Sequence, residues 1–261
     1  PSIAASNGAT IVLSLDGEGK FFSGSAWALG HYPNSTSYIY EGQSGDIYFN
    51  LNSELNKLPD AAYEPGGKGF MVLLHELGHV FGLKHPFDNT GGRPTYEEAG
   101  YGGYDDQTYT VMSYDDEFGS LLNSDGTFML GDVLALMWLY GINEETHKGD
   151  TSHELNLSDV RSTIWDSSGN DTINLSNNIT DTFTKLSYLY SDVNLDLEYG
   201  YVRIDINSSE HKTHWLIGEF ENVIGGRGDD YILGDENNNI LNGGMGSDGL
   251  DGYGGNDVLY G

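Results

Sequence analysis

From Gly225 onward the chain repeats every nine residues, and this period constrains the fold more than any other feature. The first unit reads Gly225-Gly226-Arg227-Gly228-Asp229-Asp230-Tyr231-Ile232-Leu233, and the phase holds through residues 234–242, 243–251 and 252–260. The eighth place is aliphatic each time, as Ile232, Leu241, Leu250 and Leu259, and the sixth is Asp230, Asn239, Asp248 and Asp257. A short strand with one inward aliphatic cannot bury it alone, so successive turns of such a chain must stack on one another. A flexible Gly/Asp linker would have no reason to keep four aliphatics in register. The glycines permit tight turns, and turn carbonyls together with sixth-place carboxylates form oxygen cages suited to Ca²⁺. In the second unit Asp235, Asn237 and Asn239 replace Gly, Gly and Asp, which weakens its cage.

Bound cations also suit the composition. The 261 residues include no Cys, so disulfides cannot staple the fold and a thiol nucleophile is excluded. Forty Asp and Glu against 11 Lys and Arg give a formal charge of −29. That field repels phosphate backbones and anionic lipid surfaces, so nucleic acid is not an expected partner. No apolar run approaches the length of a membrane span. With 38% hydrophobic residues the chain is long enough for one large domain or two modest ones with real cores.

Residues 10–15 and 46–50 read as strands, and residues 69–82 and 132–140 as helices, an order that argues for an α+β domain. The second helix, Val133-Leu134-Ala135-Leu136-Met137-Trp138-Leu139, is apolar all round, which predicts burial. Period-two stretches at 193–197 and 201–206, separated by Asn, Ser and Gly, read as strands of an irregular β layer leading into the repeat. A boundary near residue 145 follows, with 1–145 as α+β and 146–261 as all-β.

The first helix contains His75-Glu76-Leu77-Gly78-His79-Val80-Phe81-Gly82-Leu83-Lys84-His85. His75 and His79 are four residues apart and share a helix face, so both imidazoles can reach one ion. Glu76 sits one position round and can address a water on that ion. Gly82 supplies a left-handed turn that ends the helix and returns His85 as a third nitrogen donor. Three neutral imidazoles with an open fourth position describe catalytic zinc rather than a closed structural site. Such an ion would acidify a bound water, and Glu76 would be placed to take its proton.

The stretch from His75 to His85 resembles the zinc motif of the metzincin proteases, and the following Pro86 is similar to their serralysin branch. Tyr109-Thr110-Val111-Met112-Ser113-Tyr114 resembles that branch's Met-turn. The likeness implies that Met112 is a packing base beneath the three His. It also implies that Tyr114 is a movable zinc ligand that stabilises the oxyanion. Residues 132–141 resemble the last catalytic-domain helix, and residues 165–172 the first calcium loop. The resemblance thus implies a junction Ca²⁺ site from Gly149, Thr151, Asp166, Ser168 and Asp171. It implies a repeats-in-toxin parallel β-roll in which Ca²⁺ lies between repeats eighteen residues apart. Asp230 would pair with Asp248, and Asn239 with Asp257. Substrate is implied to pair with an edge strand at Ala26, Trp27, Ala28 and Leu29.

The expected protein is therefore an α+β metzincin-like catalytic domain, its N-terminal part truncated, followed by an all-β parallel β-roll domain. It is expected to be a secreted, extracellular and monomeric zinc endopeptidase of broad specificity. One catalytic Zn²⁺ and several structural Ca²⁺ go with that reading, and its partners are protein or peptide substrates. The alternatives are a non-catalytic calcium-dependent adhesion module, or a processing protease embedded in a larger secreted repeat protein. Asp115, Asp116 and Glu117 read as a solvated rim, and His31, His147, His153, His211 and His214 as solvated.

Overall fold

The computed structural model describes residues 11, 13–16, 26–32, 45–115, 125–155, 160–176, 193–207 and 210–261, with backbone only at 55–56, 205–207 and 210–211. Asp116, Glu117 and the His211 side chain lie outside the described residues. The chain divides into two compact units, Pro1–Tyr140 and Gly141–Gly261.

In the first unit, β1 (Leu13–Asp16), β2 (Ala28–Gly30) and β3 (Ile47–Asn50) form a sheet in the order β1-β3-β2. β1 runs parallel to β3, with Leu13 opposite Ile47, and β2 runs antiparallel to it, with Ala28 opposite Phe49. Among the described residues β2 is therefore an edge strand. The helix α1 (Lys68–Val80) packs Met71 and Val72 on Ala28, with Trp27, Phe49 and Leu58 closing the cluster. Its end is the turn that the glycine demands. Gly82 has φ 94°, its N–H donates to His79 O at 2.9 Å, and Leu83 N–H donates to Gly78 O at 2.8 Å. These paired bonds satisfy carbonyls that the helix itself cannot.

The helix α2 (Leu130–Tyr140) corrects one expectation. Its apolar surface is not buried within the first unit, for Leu134 is 49% and Trp138 85% exposed. The buried residue of this helix is polar: Asp132, in the first turn, enters the loop beneath α1 and anchors it. A uniform apolar sequence indicates that a helix can be buried on any face, and says nothing about which face its own unit covers.

The second unit begins with β4 (Ser152–Glu154), β5 (Ser162–Trp165) and β6 (Thr172–Asn174). It continues through β7 (Val193–Asp196), β8 (Tyr201–Asn207) and β9 (Glu210–Ile217) to β10 (Asn222–Ile224) and β11 (Tyr231–Leu233). It ends with β12 (Ile240–Asn242), β13 (Gly249–Asp251) and β14 (Val258–Tyr260). One sheet has the order β14-β12-β10-β6-β4 and the other β13-β11-β7-β8-β9-β5. Successive nonapeptides alternate between the two sheets, so parallel neighbours are eighteen residues apart: Val223 faces Leu241 and Leu241 faces Leu259, while Ile232 faces Leu250. The eighth-place side chains point between the sheets. Ile232 and Leu241 are fully buried with Val223, Ile173 and Leu195, Leu250 packs on that cluster, and Leu259 on the edge strand β14 is 45% exposed. The physical cause is the stacking argument itself, since each short strand is covered only where a neighbour lies on both sides.

Candidate active site

The helix and its terminal turn bring three imidazoles to one point. His85 Nε2 lies 3.1 Å from His75 Nε2 and 3.1 Å from His79 Nε2. His75 Nδ1 is 2.7 Å from Val111 O, and His79 Nδ1 is 3.0 Å from Leu83 O. A carbonyl only accepts, so both Nδ1 atoms carry the proton and both Nε2 atoms present lone pairs. Burial lowers the basicity of all three rings, taking His75 and His85 to about 4. They are neutral at neutral pH, as ligands must be. Two bare nitrogens, each about 3 Å from a third, fit a dication between them, because tetrahedral bonds near 2.0 Å place ligands about 3.3 Å apart. His75, His79 and His85 can therefore hold a metal ion.

Glu76 is buried beside this cluster and accepts a hydrogen bond from the Gly30 backbone N–H. Burial pushes its carboxyl up to about 7, against the opposing Gly30 bond. The approach is so close that a Cβ on Gly30 would stand 2.4 Å from Glu76 O, so only glycine fits where β2 crosses α1. His75 and Glu76 line a cavity of roughly 300 Å³ together with Ala26, Trp27, Ala28 and Tyr114. Trp27 O accepts Asn50 N–H on the β3 side of the strand, and antiparallel alternation turns the Ala28 backbone groups to the outer edge. Leu29 is 38% exposed.

Tyr114 stands at the mouth of the cavity, 66% exposed. Its ring stacks on His75 at 5.5 Å between centroids and tilts against His85 at 4.6 Å. Desolvation and the Glu76 charge push its phenol up, so it is a proton donor at neutral pH. Met112 is 2% exposed and presses its Sδ on α1, where a Cβ on Gly78 would come within 2.3 Å of the sulfur. Gly78 thus admits the loop that carries Val111 O to His75.

Sequence reasoning missed Gly30 and Gly78, and it missed Asp132. The Asp132 carboxylate accepts Thr110 Oγ1–H at 2.6 Å, Val111 N–H at 2.8 Å and Met129 N–H at 3.0 Å. The last bond ties a third-position acid back to the start of α2, a helix-capping pattern that could have drawn notice. Burial pushes the carboxyl up to about 6 despite these donors. Asp132→Ala leaves three donors without their acceptor and frees the segment that orients His75. We expect a loss of about 3 kcal/mol or more in stability and at least about tenfold in zinc affinity, read by denaturant unfolding and by chelator competition.

The five junction residues also meet, within the second unit. Thr151 N–H donates to Asp171 Oδ1 at 2.7 Å, and Thr151 Oγ1–H donates to Gly149 O at 2.9 Å. Gly149 N–H donates to Ser168 O at 2.6 Å, and Ser168 N–H donates to Asp166 Oδ1 at 3.2 Å. Asp171 is fully buried, yet its Oδ2 has no hydrogen-bond partner among the described residues. An orphaned buried carboxylate oxygen beside carbonyls is the donor chemistry Ca²⁺ takes. In the repeats, Asp248 Oδ1 accepts Asp230 N–H at 3.0 Å, and Asp257 Oδ1 accepts Asn239 N–H at 3.0 Å, so residues eighteen apart do meet.

Several histidines expected in solvent are elsewhere. His214 is fully buried, with Ser162 Oγ 2.8 Å from its Nδ1, and the His153 side chain is 9% exposed against Asp166. His31 is half-buried with its ring edge-on to Tyr48, and His147 is exposed. Pairing across strands places these rings, which their local sequence does not reveal.

No family model matches the chain. The chain is 31% identical to a serralysin of Proteus mirabilis over 239 residues, 84% of this chain and 45% of that protein. It is 31% identical to the metallopeptidase AprA of Pseudomonas marginalis over 259 residues, 90% of this chain and 47% of that protein. Serralysin G of Dickeya chrysanthemi is 30% identical over 232 residues, 82% of this chain and 44% of that protein. The chain thus spans about half the length of the curated relatives it matches, and over most of its own length it is similar to metalloproteases of the serralysin type. Among the described residues no helix is long and apolar enough to cross a membrane.

Proposed function

We propose that this chain is a secreted zinc-dependent endopeptidase of the metzincin kind, with its catalytic machinery in residues 1–145 and a calcium-stabilised β-roll in residues 146–261. The observation that carries the reading is the convergence of three Nε2 atoms, that of His85 3.1 Å from each of the other two, beside a buried Glu76 on the wall of a cavity. Zinc held by three imidazoles supplies Lewis acidity towards water and a carbonyl oxygen. Glu76 takes the proton of the attacking water and returns it to the leaving amine. The Tyr114 phenol donates to the oxygen on which negative charge develops. Met112 supports the imidazoles from below.

The substrate backbone pairs with the outer edge of β2 around Ala26, Trp27, Ala28 and Leu29, opposite the strand's bonds to β3. Main-chain pairing reads backbone more than side chains, which fits broad specificity. The parallel pairing at eighteen-residue offset and the orphaned Asp171 Oδ2 support calcium in the second unit, bound at the junction by Gly149, Thr151, Asp166, Ser168 and Asp171 and between repeats by Asp230, Asp248 and Asp257. Extracellular calcium suits such sites.

Hydrolysis of fluorogenic casein in millimolar Ca²⁺ with stoichiometric Zn²⁺ tests the proposal. The chain should cleave it, and His79→Ala should not. Tyr114→Phe should lower kcat by roughly ten- to a hundredfold with KM little changed, since it removes a donor used only as charge develops. No cleavage by a chain shown to hold zinc would overturn the reading.

A further inference from the structure

A second cluster of metal-ligating side chains lies in the other unit. One ring nitrogen from each of His147 and His153 and a carboxylate oxygen of Asp166 lie within 4.8 Å of one another. His147 has φ 51°, a left-handed conformation that non-glycine residues seldom adopt. Its Nδ1 is 2.8 Å from Trp165 O. The carbonyl only accepts, so Nδ1 carries the proton and Nε2 keeps its lone pair, the same backbone-held arrangement as His75 and His79. His153 Nε2 lies 2.7 Å from Asp166 Oδ2, the two side chains 9% and 0% exposed. The His153 ring is edge-on to His147 at 4.9 Å and to Phe220 at 5.7 Å, so packing as well as hydrogen bonding fixes it.

We propose that His147, His153 and Asp166 form a binding site for a transition-metal dication, Zn²⁺ in the first place. Imidazole nitrogen suits zinc, nickel or copper, whereas calcium takes oxygen, so this donor set selects against the ion proposed for the neighbouring cage. Two imidazoles and one carboxylate leave a fourth position for water. Coordination through His153 Nε2 uses that nitrogen's lone pair, with the neutral ring carrying its one proton on Nδ1, and the His153–Asp166 pair opens from 2.7 Å to the ligand separation of about 3.3 Å set by bonds near 2.0 Å. The other oxygen, Oδ1, faces Ser168 N–H on the side of the junction cage. One carboxylate therefore borders two sites of opposite ligand preference. A metal here would clamp the segment 147–153 to the loop after β5. This site shares no residue with the His75, His79 and His85 cluster.

The test is a calorimetric titration with Zn²⁺ in millimolar Ca²⁺, using the full chain with His75→Ala and His79→Ala so that the first cluster is disabled. One equivalent should bind. Adding His147→Gly, which suits a positive φ, and His153→Phe, which keeps the packing on Phe220, should weaken binding by about a hundredfold or more with the far-UV circular dichroism unchanged. His147→Gly alone, at an exposed side chain, should weaken it by about tenfold and serves if the combined variant does not fold. In the unsubstituted chain the stoichiometry should exceed that of His147→Gly/His153→Phe by one. Absence of zinc binding in the His75→Ala/His79→Ala chain, binding that survives His147→Gly/His153→Phe, or equal competition by Ca²⁺ would each overturn the proposal.

Discussion

Glu76→Gln is expected to lower kcat for casein hydrolysis by about 10³-fold while the three histidines keep their metal and KM stays within a few fold. The two side chains have the same shape, and the Gln carbonyl can still accept the Gly30 N–H that positions Glu76. What is lost is a group able to take a proton from water, a contribution typically worth 10²- to 10⁴-fold. The site's desolvation makes this group effective, because burial pushes the Glu76 carboxyl up towards neutrality, where accepting and returning a proton are nearly balanced. Zinc bound nearby would draw it down again without removing the contact. The check is steady-state kinetics beside metal analysis of the same preparations. A variant within tenfold of the parent would remove Glu76 from the mechanism, whereas a variant that has lost zinc would show that its position rather than its basicity had been disturbed.

Removing calcium, with zinc replenished, is expected to open the nonapeptide region while the first unit keeps its helices. Residues 146–261 hold 20 Asp and Glu against 6 Lys and Arg, and Asp230, Asp166 and Asp171 are at most 2% exposed. Buried carboxylates near one another repel, and desolvation already raises Asp171 in the absence of a cation. Each ion present at a hundred times its Kd stabilises the folded unit by about 2.7 kcal/mol, and several such sites together exceed the margin of an ordinary domain. Hydrogen exchange followed by mass spectrometry is the direct measurement. Amides of β10 to β14 should lose protection by at least about a hundredfold when Ca²⁺ is withdrawn and regain it on return. Unchanged protection would mean that the stacked aliphatics, Ile232 and Leu241 foremost, hold the coils without ions.

Much of both units is legible from local pattern. The spacing of His75 and His79 puts them on one face because 3.6 residues make a turn, and Gly82 ends the helix because it takes φ 94° without strain. The nine-residue period likewise puts Ile232 and Leu241 in the core, since stacking is the available way to cover them. These are short-range consequences of backbone geometry. Other features depend on residues distant in sequence. Gly30 meets Glu76 across 46 positions, Asp132 reaches Val111 across 21, and Val111 O orients His75 across 36. No periodicity encodes such pairs, because each depends on where two separately formed elements come to rest. The exposed Trp138 and the His147, His153 and Asp166 cluster belong to the same class. Residue types and local spacing made three converging imidazoles and a stack of short strands readable in advance; packing decided which lone pairs face inward and which carboxylates are buried, because burial and hydrogen-bond partners exist only once the chain has folded.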